Sequence, residues 1–280
     1  LDELKKWADE LVDRQAQLVI QEAWPQAEQA AVGVFKDEPP RTRIEVLEPS
    51  HRLAQPIAAD LPTLETGMPF DKKGNTFLDA VMMGVGDALK ADPRVFVYGE
   101  DVGGAYGNAF LLLRPLLAEF GDRIINAPIA EAGVLGVCVG AALAGQRPIG
   151  EMQFNDFVAT GFNQLVNNAA KIRYRWGGEV PMVVRMPWGG LRHAGPYHSQ
   201  NTEPWFYRTP GLKIVTPSTP HDARALLAAA VADPDPVLYY EHIALYRDPR
   251  VKQAIGAEPP RPIEIGKAAL RRAGSDLAFI

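Results

Sequence analysis

Residues 76–98 read TFLDAVMMGVGDALKADPRVFVY. Thr76 stands three residues before Asp79, the spacing of a helix-capping pair, and Phe77, Val81, Val85 and Leu89 recur at helical intervals until Asp92-Pro93 ends the run. The spacing predicts a capped helix over about 76–91 with one apolar face. Val95-Phe96-Val97-Tyr98 follows at once, without polar alternation, as a short buried strand does.

The same cadence continues downstream. Ile124-Ile125 reads as a strand, 132–145 as a helix of small apolar residues, Ile149–Phe154 as a strand, about 157–174 as a helix and Val180–Arg185 as a strand. Leu212–Thr216 is a further strand, Thr219-Pro220-x-Asp222 starts a helix with proline at its first position, and Val237–Tyr240 is the last strand. Alternating βαβα elements with continuous apolar strands predict an α/β fold, a three-layer, doubly wound parallel sheet. Upstream, Leu4, Trp7, Leu11, Leu18 and Val19 mark an amphipathic helix within residues 1 to about 31, with one face to bury. From Asp37 to Gly74 the prolines Pro39, Pro40, Pro49, Pro56, Pro62 and Pro69 predict an extended linker. The chain opens at Leu1 and ends on the strand-type residues Leu277-Ala278-Phe279-Ile280, so it is expected to be a piece of a longer polypeptide.

Composition narrows the functional classes. The length of 280 residues suits one large domain with appendages or two domains, and 47% hydrophobic with 22% charged residues argues against disorder and against a membrane protein. The charge-free stretch Ala132–Gly145 is shorter than the roughly 18 residues a spanning helix needs. With 29 Lys and Arg against 34 Asp and Glu, and the basic residues scattered, a nucleic-acid partner is not expected. A single cysteine, Cys138, cannot form an internal disulfide and fits a reducing compartment.

Open α/β sheets bind ligands beyond the carboxyl ends of their strands, which selects the segments 99–104, 126–131 and 187–204. Glu131 precedes the small-residue helix. It is either a carboxylate stabilising a helix N-terminus or a carboxyl group in an apolar cleft, able to share a proton with a nitrogen heterocycle. The loop Trp188–Gln200 carries His193 and His198 among glycines, either to satisfy backbone groups or to present an imidazole to a substrate. Neither a Cys/His metal spacing nor a dinucleotide or phosphate-loop fingerprint is present.

Five ordered motifs carry a resemblance. Gly99-Glu100-Asp101-Val102, Pro128-Ile129-x-Glu131-x-Gly133, Glu151-x-Gln153-Phe154-x-Asp156-Phe157, Ala169-Ala170-Lys171-x-Arg173-Tyr174-Arg175 and Tyr197-His198-Ser199-Gln200 together resemble the beta subunit of the thiamine-diphosphate-dependent decarboxylating component of 2-oxo acid dehydrogenase complexes, the branched-chain and pyruvate kinds. The resemblance implies an alpha-subunit-like tail over 1–36, a linker over 37–73, a transketolase-like pyrimidine-binding domain over 74–250, and a linker with the start of a carboxyl-terminal domain over 251–280. It places the protein in a bacterial cytoplasm or a mitochondrial matrix.

By the same resemblance, Glu131 contacts the aminopyrimidine ring nitrogen of thiamine diphosphate, and Ile129 and Gln153 line that pocket. Phe157 stands where many relatives have tyrosine, keeping the aromatic face and losing the hydroxyl. His198 is the histidine near the reacting carbon, suited to acid/base work during acyl transfer to lipoamide. The diphosphate and its Mg²⁺ belong to an alpha-type domain, fused or separate, in a homo-oligomer or an alpha2beta2-like assembly whose further partner is a dihydrolipoyl acyltransferase. Some relatives hold a potassium ion with backbone oxygens near Val180, Met182 and Val183 and near Ala230, Asp233 and Asp235. The implied activity is oxidative decarboxylation of a 2-oxo acid, with branched-chain substrates slightly favoured. A transketolase or deoxyxylulose-phosphate synthase relative is the alternative within enzymes, opposed by the His-Ser-Gln loop and the lack of a basic cluster for a sugar phosphate. A non-catalytic docking module is the alternative outside them.

Overall fold

The computed structural model describes residues 2–24, 26, 64–190 and 194–277. The chain divides into two compact units, 1–60 and 61–280. In the first, α1 (Asp2–Gln21) forms where the apolar spacing predicts a helix, but it stops well short of residue 31. No residue of α1 is buried, and Leu4, Trp7, Val12, Leu18, Val19 and Ile20 are exposed. Most of the expected linker, 37–63, lies outside the described residues.

The second unit is built on six strands, β1 (Val95–Gly99), β2 (Ile124–Asn126), β3 (Arg147–Glu151), β4 (Val183–Trp188), β5 (Lys213–Val215) and β6 (Val237–His242). Their order is β2-β1-β3-β4-β6-β5 and every pairing is parallel. The main helices are α2 (Phe77–Ala91), α3 (Glu131–Leu143), α4 (Ala170–Trp176) and α5 (Pro220–Ala232). Side chains alternate across the sheet. Val95, Val97, Val183, Val237 and Tyr239 pack with α2 and α5, whereas Val184, Met186, Leu238 and Tyr240 pack with α3 and α4. Both faces are therefore covered, which is the three-layer, doubly wound α/β architecture that the strand composition predicts. Among the described residues no helix is long and apolar enough to cross a membrane.

Local chemistry sets the element boundaries. The Thr76 hydroxyl accepts the Asp79 N–H at 3.1 Å while the Asp79 carboxylate accepts the Thr76 N–H at 2.9 Å, closing the capping box on α2. β4 runs over 183–188, not 180–185, because Pro181 has no N–H for a ladder and the Met182 N–H turns back to the Val180 carbonyl. β3 ends at Glu151, short of Phe154, where the chain leaves the sheet. The helix expected over 157–174 is three pieces: a 3₁₀ stretch Asn155–Gly161, a π-helical stretch Gln164–Ala169, and α4. A Cβ at Gly161 would strike the Leu135 side chain on α3, so a glycine lets the 3₁₀ stretch press against that helix. Residues 251–277 form no regular strand; Gln253 and Leu270 make isolated bridges to Asn75 and Leu64.

One charged cluster lies inside the sheet. Arg185 on β4 is fully buried between Glu151 of β3 and Glu241 of β6. Its Nε and Nη2 donate to the Glu241 carboxylate at 2.7 and 2.8 Å, and Nη1 donates to Glu151 Oε2. The Tyr246 hydroxyl donates to Glu241 at 2.6 Å and Asn108 Nδ2 to Glu151 Oε1 at 2.9 Å. Burial pushes the Glu151 carboxyl above its usual range, opposed by the Arg185 charge and the Asn108 hydrogen bond.

Two stability predictions follow from this packing. Arg185→Met leaves two buried carboxylates without their cation and is expected to cost about 3–5 kcal/mol, read from the denaturant midpoint; a change under about 1 kcal/mol would mean that the carboxylates rearrange to reach water or become protonated. Gly103→Ala is expected to cost about 1–3 kcal/mol, because its Cβ would lie 2.6 Å from the Ile124 carbonyl oxygen, whereas Gly274→Ala, with nothing within 4 Å, stays near neutral. Equal midpoints for the two glycine variants would contradict the close approach at 103.

Candidate active site

The carboxyl ends of β1, β2 and β3 release three loops onto one edge of the sheet. In the first, Glu100 is 9% exposed and its Oε1 accepts the Ala130 N–H at 2.9 Å. Burial raises its carboxyl above the ordinary range and the nearby Glu131 and Asp101 carboxylates add to the rise, while the Ala130 hydrogen bond opposes it. Asn108, in left-handed backbone at φ 72°, accepts the Phe110 and Leu112 N–H groups, and the Gly103 N–H donates to Asn126 Oδ1 at 2.7 Å. The loop is thus tied to β2, β3 and the entrance of α3.

Glu131 is the first residue of α3, where the helix offers unpaired N–H groups and a favourable field for an anion. The Thr160 hydroxyl lies 3.1 Å from Glu131 Oε2 and 3.0 Å from the Phe157 carbonyl oxygen, so its single proton can serve either. Glu131 Oε1 has no hydrogen bond among the described residues. Gln153 Nε2 donates to Asp101 Oδ2 at 3.1 Å. Ile129, two residues before Glu131, has 88% of its surface exposed.

The His198 imidazole is half-buried and meets two rings edge-on, Phe154 at 4.8 Å and Phe157 at 5.4 Å between centroids. Phe154 packs in turn on Phe110 at 5.5 Å, and Phe110 on Tyr246 at 4.9 Å. Between the two phenylalanines, Asn155 and Asp156 turn inward and hold the backbone just after His198. Asn155 Nδ2 donates to the Gln200 carbonyl at 2.8 Å and its Oδ1 accepts the Thr202 N–H and hydroxyl at 3.2 and 2.6 Å. Asp156 Oδ1 accepts the Ser199 and Gln200 N–H groups at 3.1 and 3.0 Å.

Glu131, Phe157 and His198 therefore form one connected group through Thr160 and ring contact. Gln153 and Ile129 lie on the same edge, Gln153 joined to Asp101 and Ile129 unattached. Glu100, Thr160 and Asn155 were not singled out by sequence reasoning as site residues. Glu100 lies in the segment 99–104 and in the first of the five motifs, without an assigned role; Thr160 and Asn155 carry no signal of their own. His193 lies outside the described residues.

The residues expected near potassium gather at the opposite, amino-terminal edge of β4 and β6. The Val180, Met182 and Ala230 carbonyls accept the Met182, Val237 and Asp233 N–H groups, and Val183 opens the strand. Lys213 Nζ donates to both Asp233 oxygens at 2.7 and 2.8 Å and lies 3.1 Å from Asp235, which also binds Arg173. Both carboxylates have cationic partners, so a potassium ion here would rest on backbone oxygens, as the resemblance implies. Among the described residues no three His, Cys, Asp or Glu side chains converge as a metal centre.

Residues 74–249 match the family described as "Transketolase, pyrimidine binding domain". The 2-oxoisovalerate dehydrogenase subunit beta of Bacillus subtilis (strain 168) is 46% identical over 208 residues, 73% of this chain and 62% of its own length. The mitochondrial 2-oxoisovalerate dehydrogenase subunit beta of Dictyostelium discoideum is 38% identical over 223 residues, covering 78% of this chain and 59% of its own. The pyruvate dehydrogenase E1 component subunit beta of Acholeplasma laidlawii is 41% identical over 208 residues, covering 73% and 62%. The chain thus spans less than two thirds of the length of these relatives. A solved structure titled "Split gene transketolase, inactive beta4 tetramer" superposes with a TM-score of 0.51 at 17% identity, over 68% of this chain and 56% of that one, and shares the fold. With the family matching over most of its length and its residues laid out on the parallel sheet described above, the chain belongs to the transketolase pyrimidine-binding domain family.

Proposed function

We propose that this chain supplies the pyrimidine-binding side of the active site in the thiamine-diphosphate-dependent decarboxylating component of a 2-oxo acid dehydrogenase complex. The whole protein would release carbon dioxide from a 2-oxo acid and pass the acyl group to the lipoyl domain of a dihydrolipoyl acyltransferase. Across organisms the identities to the two kinds overlap, and what supports a branched-chain substrate is the comparison within Bacillus subtilis (strain 168), 46% to the 2-oxoisovalerate subunit against 40% to the pyruvate one. The observation that carries the reading is the grouping of Glu131, Phe157 and His198 at the carboxyl edge of the sheet, beside an Ile129 that is exposed for cover by a second body.

These residues fit the pyrimidine end of the cofactor. The unpartnered Glu131 Oε1 is available to a ring nitrogen, Phe157 offers an aromatic face and Ile129 an apolar one. When bound, thiamine diphosphate supplies a nucleophilic carbon and holds the electron pair released with carbon dioxide. Glu131 would share a proton with the ring nitrogen. His198, wedged between two phenylalanine edges, gives or takes a proton as the acyl group moves to the lipoyl thiol. The diphosphate and Mg²⁺ would be held by an alpha-type domain across an oligomer interface.

Two substitutions test these roles in the whole protein, assembled with its alpha-type part and assayed on 2-oxoisovalerate and pyruvate. Glu131→Gln keeps size and removes the ionisable group. It is expected to bind the cofactor more weakly and to exchange the thiazolium C–H of bound cofactor with D₂O at least about 10²-fold more slowly, read by quenched-flow NMR. If Glu131 were only a helix-end charge, the change would cost about 0.3–1 kcal/mol of stability and leave exchange unaltered, and an unaltered rate removes Glu131 from the mechanism. His198→Ala is expected to spare cofactor affinity while slowing decarboxylation or reductive acylation of lipoamide by about 10²–10⁴. A matching loss of cofactor affinity would show that His198 is structural.

A further inference from the structure

The order Phe154-Asn155-Asp156-Phe157 places two rings and two polar side chains on a single turn, and all four act on the segment around His198. The rings hold the imidazole and the polar pair holds the backbone. The pair divides its task. Asn155 holds the Gln200 carbonyl and Thr202, whereas Asp156 alone reaches Ser199, the residue bonded directly to His198. On the other side of His198 the chain is loosely held. Residues 194–197 are exposed, Gly195 sits in left-handed backbone at φ 75°, and the His198 N–H reaches the Gly195 carbonyl only at 3.4 Å, near the limit for such a bond. What fixes the backbone at His198 therefore comes from its carboxyl side.

We propose that Asp156 is a positioning residue for His198: by accepting the Ser199 and Gln200 N–H groups on one oxygen, it fixes the main chain so that the imidazole stays seated edge-on between Phe154 and Phe157. This rests on the reading of His198 as the acid/base group. Asp156 is 6% exposed, and its second oxygen, Oδ2, is buried with no hydrogen-bond partner among the described residues. Holding these two amides is thus the only polar contact the carboxylate makes there. A carboxylate suits the role because an ionised acceptor takes two amide donors at once and binds each more strongly than a neutral oxygen. Catalysis depends steeply on such placement, since a displacement of about 1 Å can cost about 10²-fold in rate.

The test uses the whole protein loaded with thiamine diphosphate and compares D156A, D156N, D156E, H198A and D156A/H198A. D156A is expected to lower kcat by about 10–10²-fold with cofactor affinity kept within about twofold. D156N, whose amide oxygen can still accept both N–H groups, is expected to recover most of the rate. In the H198A background D156A is expected to add no further loss, since it acts through the imidazole. An equal loss in both backgrounds, or a wild-type kcat in folded D156A, overturns the proposal. If D156A does not fold, D156E moves the acceptor by one methylene while keeping the charge, and the same comparisons apply to it. Imidazole NMR of selectively labelled histidine gives a readout independent of turnover. The His198 signal should be single in wild type and D156N, and shifted or broadened in D156A; an unmoved signal refutes the positioning role. A wild-type protein that decarboxylates no 2-oxo acid would refute the functional reading instead, while the imidazole spectra would still decide the role of Asp156.

Discussion

Three charged groups with no access to water, Arg185, Glu151 and Glu241, lie across the middle of the sheet, and the geometry of its functional edge depends on them. Withdrawing each ion from water costs several kcal/mol, and mutual attraction offsets this only when every remaining polar position is filled. Here Asn108 and Tyr246 fill two of them. Apolar residues of similar volume would hold the strands together about as well, so the cluster's contribution is register more than stability. A guanidinium on β4 that donates to carboxylates on both neighbouring strands tolerates no slip, because a one-residue shift would turn its side chain to the opposite face.

From this cluster two routes lead to the site. Glu151 holds Asn108, whose left-handed backbone and carbonyl acceptor shape the loop after β1. Glu241 holds the Tyr246 hydroxyl, and the Tyr246 ring packs on Phe110 of that same loop, Phe110 on Phe154, and Phe154 on His198. The imidazole is thus the outer end of an edge-to-face series of aromatic rings whose inner end is hydrogen-bonded to a buried carboxylate. Edge-to-face contacts have preferred angles as well as distances, so orientation passes along the series together with position.

Where local chemistry decides, the sequence was readable. The capping box at Thr76 and the proline start of α5 announce themselves in their own residues, and the apolar runs 95–98 and 237–240 left little choice but a parallel sheet. The readings that shifted fell where distant partners decide. The reading to Phe154 overshoots β3, which leaves the sheet at Glu151, and the one that stops β4 at Arg185 falls short, because a charged residue looks like a strand's end until its buried counterparts Glu151 and Glu241 are seen. The run after Phe154 looked like one helix because its apolar spacing is helical. Asn155 and Asp156 instead use their side chains on residues 199–202, more than forty positions away, and the chain takes a tighter turn to present them. Glu131 and His198 were legible through an ordered set of motifs; Glu100 and Thr160 were not, because only the folded chain brings them to Glu131.

The acidic residues at this edge stand in unlike settings. Glu100 is enclosed and tied to the amide before α3, while Glu131 is only half-buried and its neighbour Ile129 is almost fully exposed. Glu100 is held by an amide, whereas Glu131 keeps one oxygen, Oε1, without a hydrogen bond among the described residues. A group that approaches this edge therefore meets no competing partner at Glu131 Oε1, while the Glu100 oxygen is already engaged in fixing the entrance of α3.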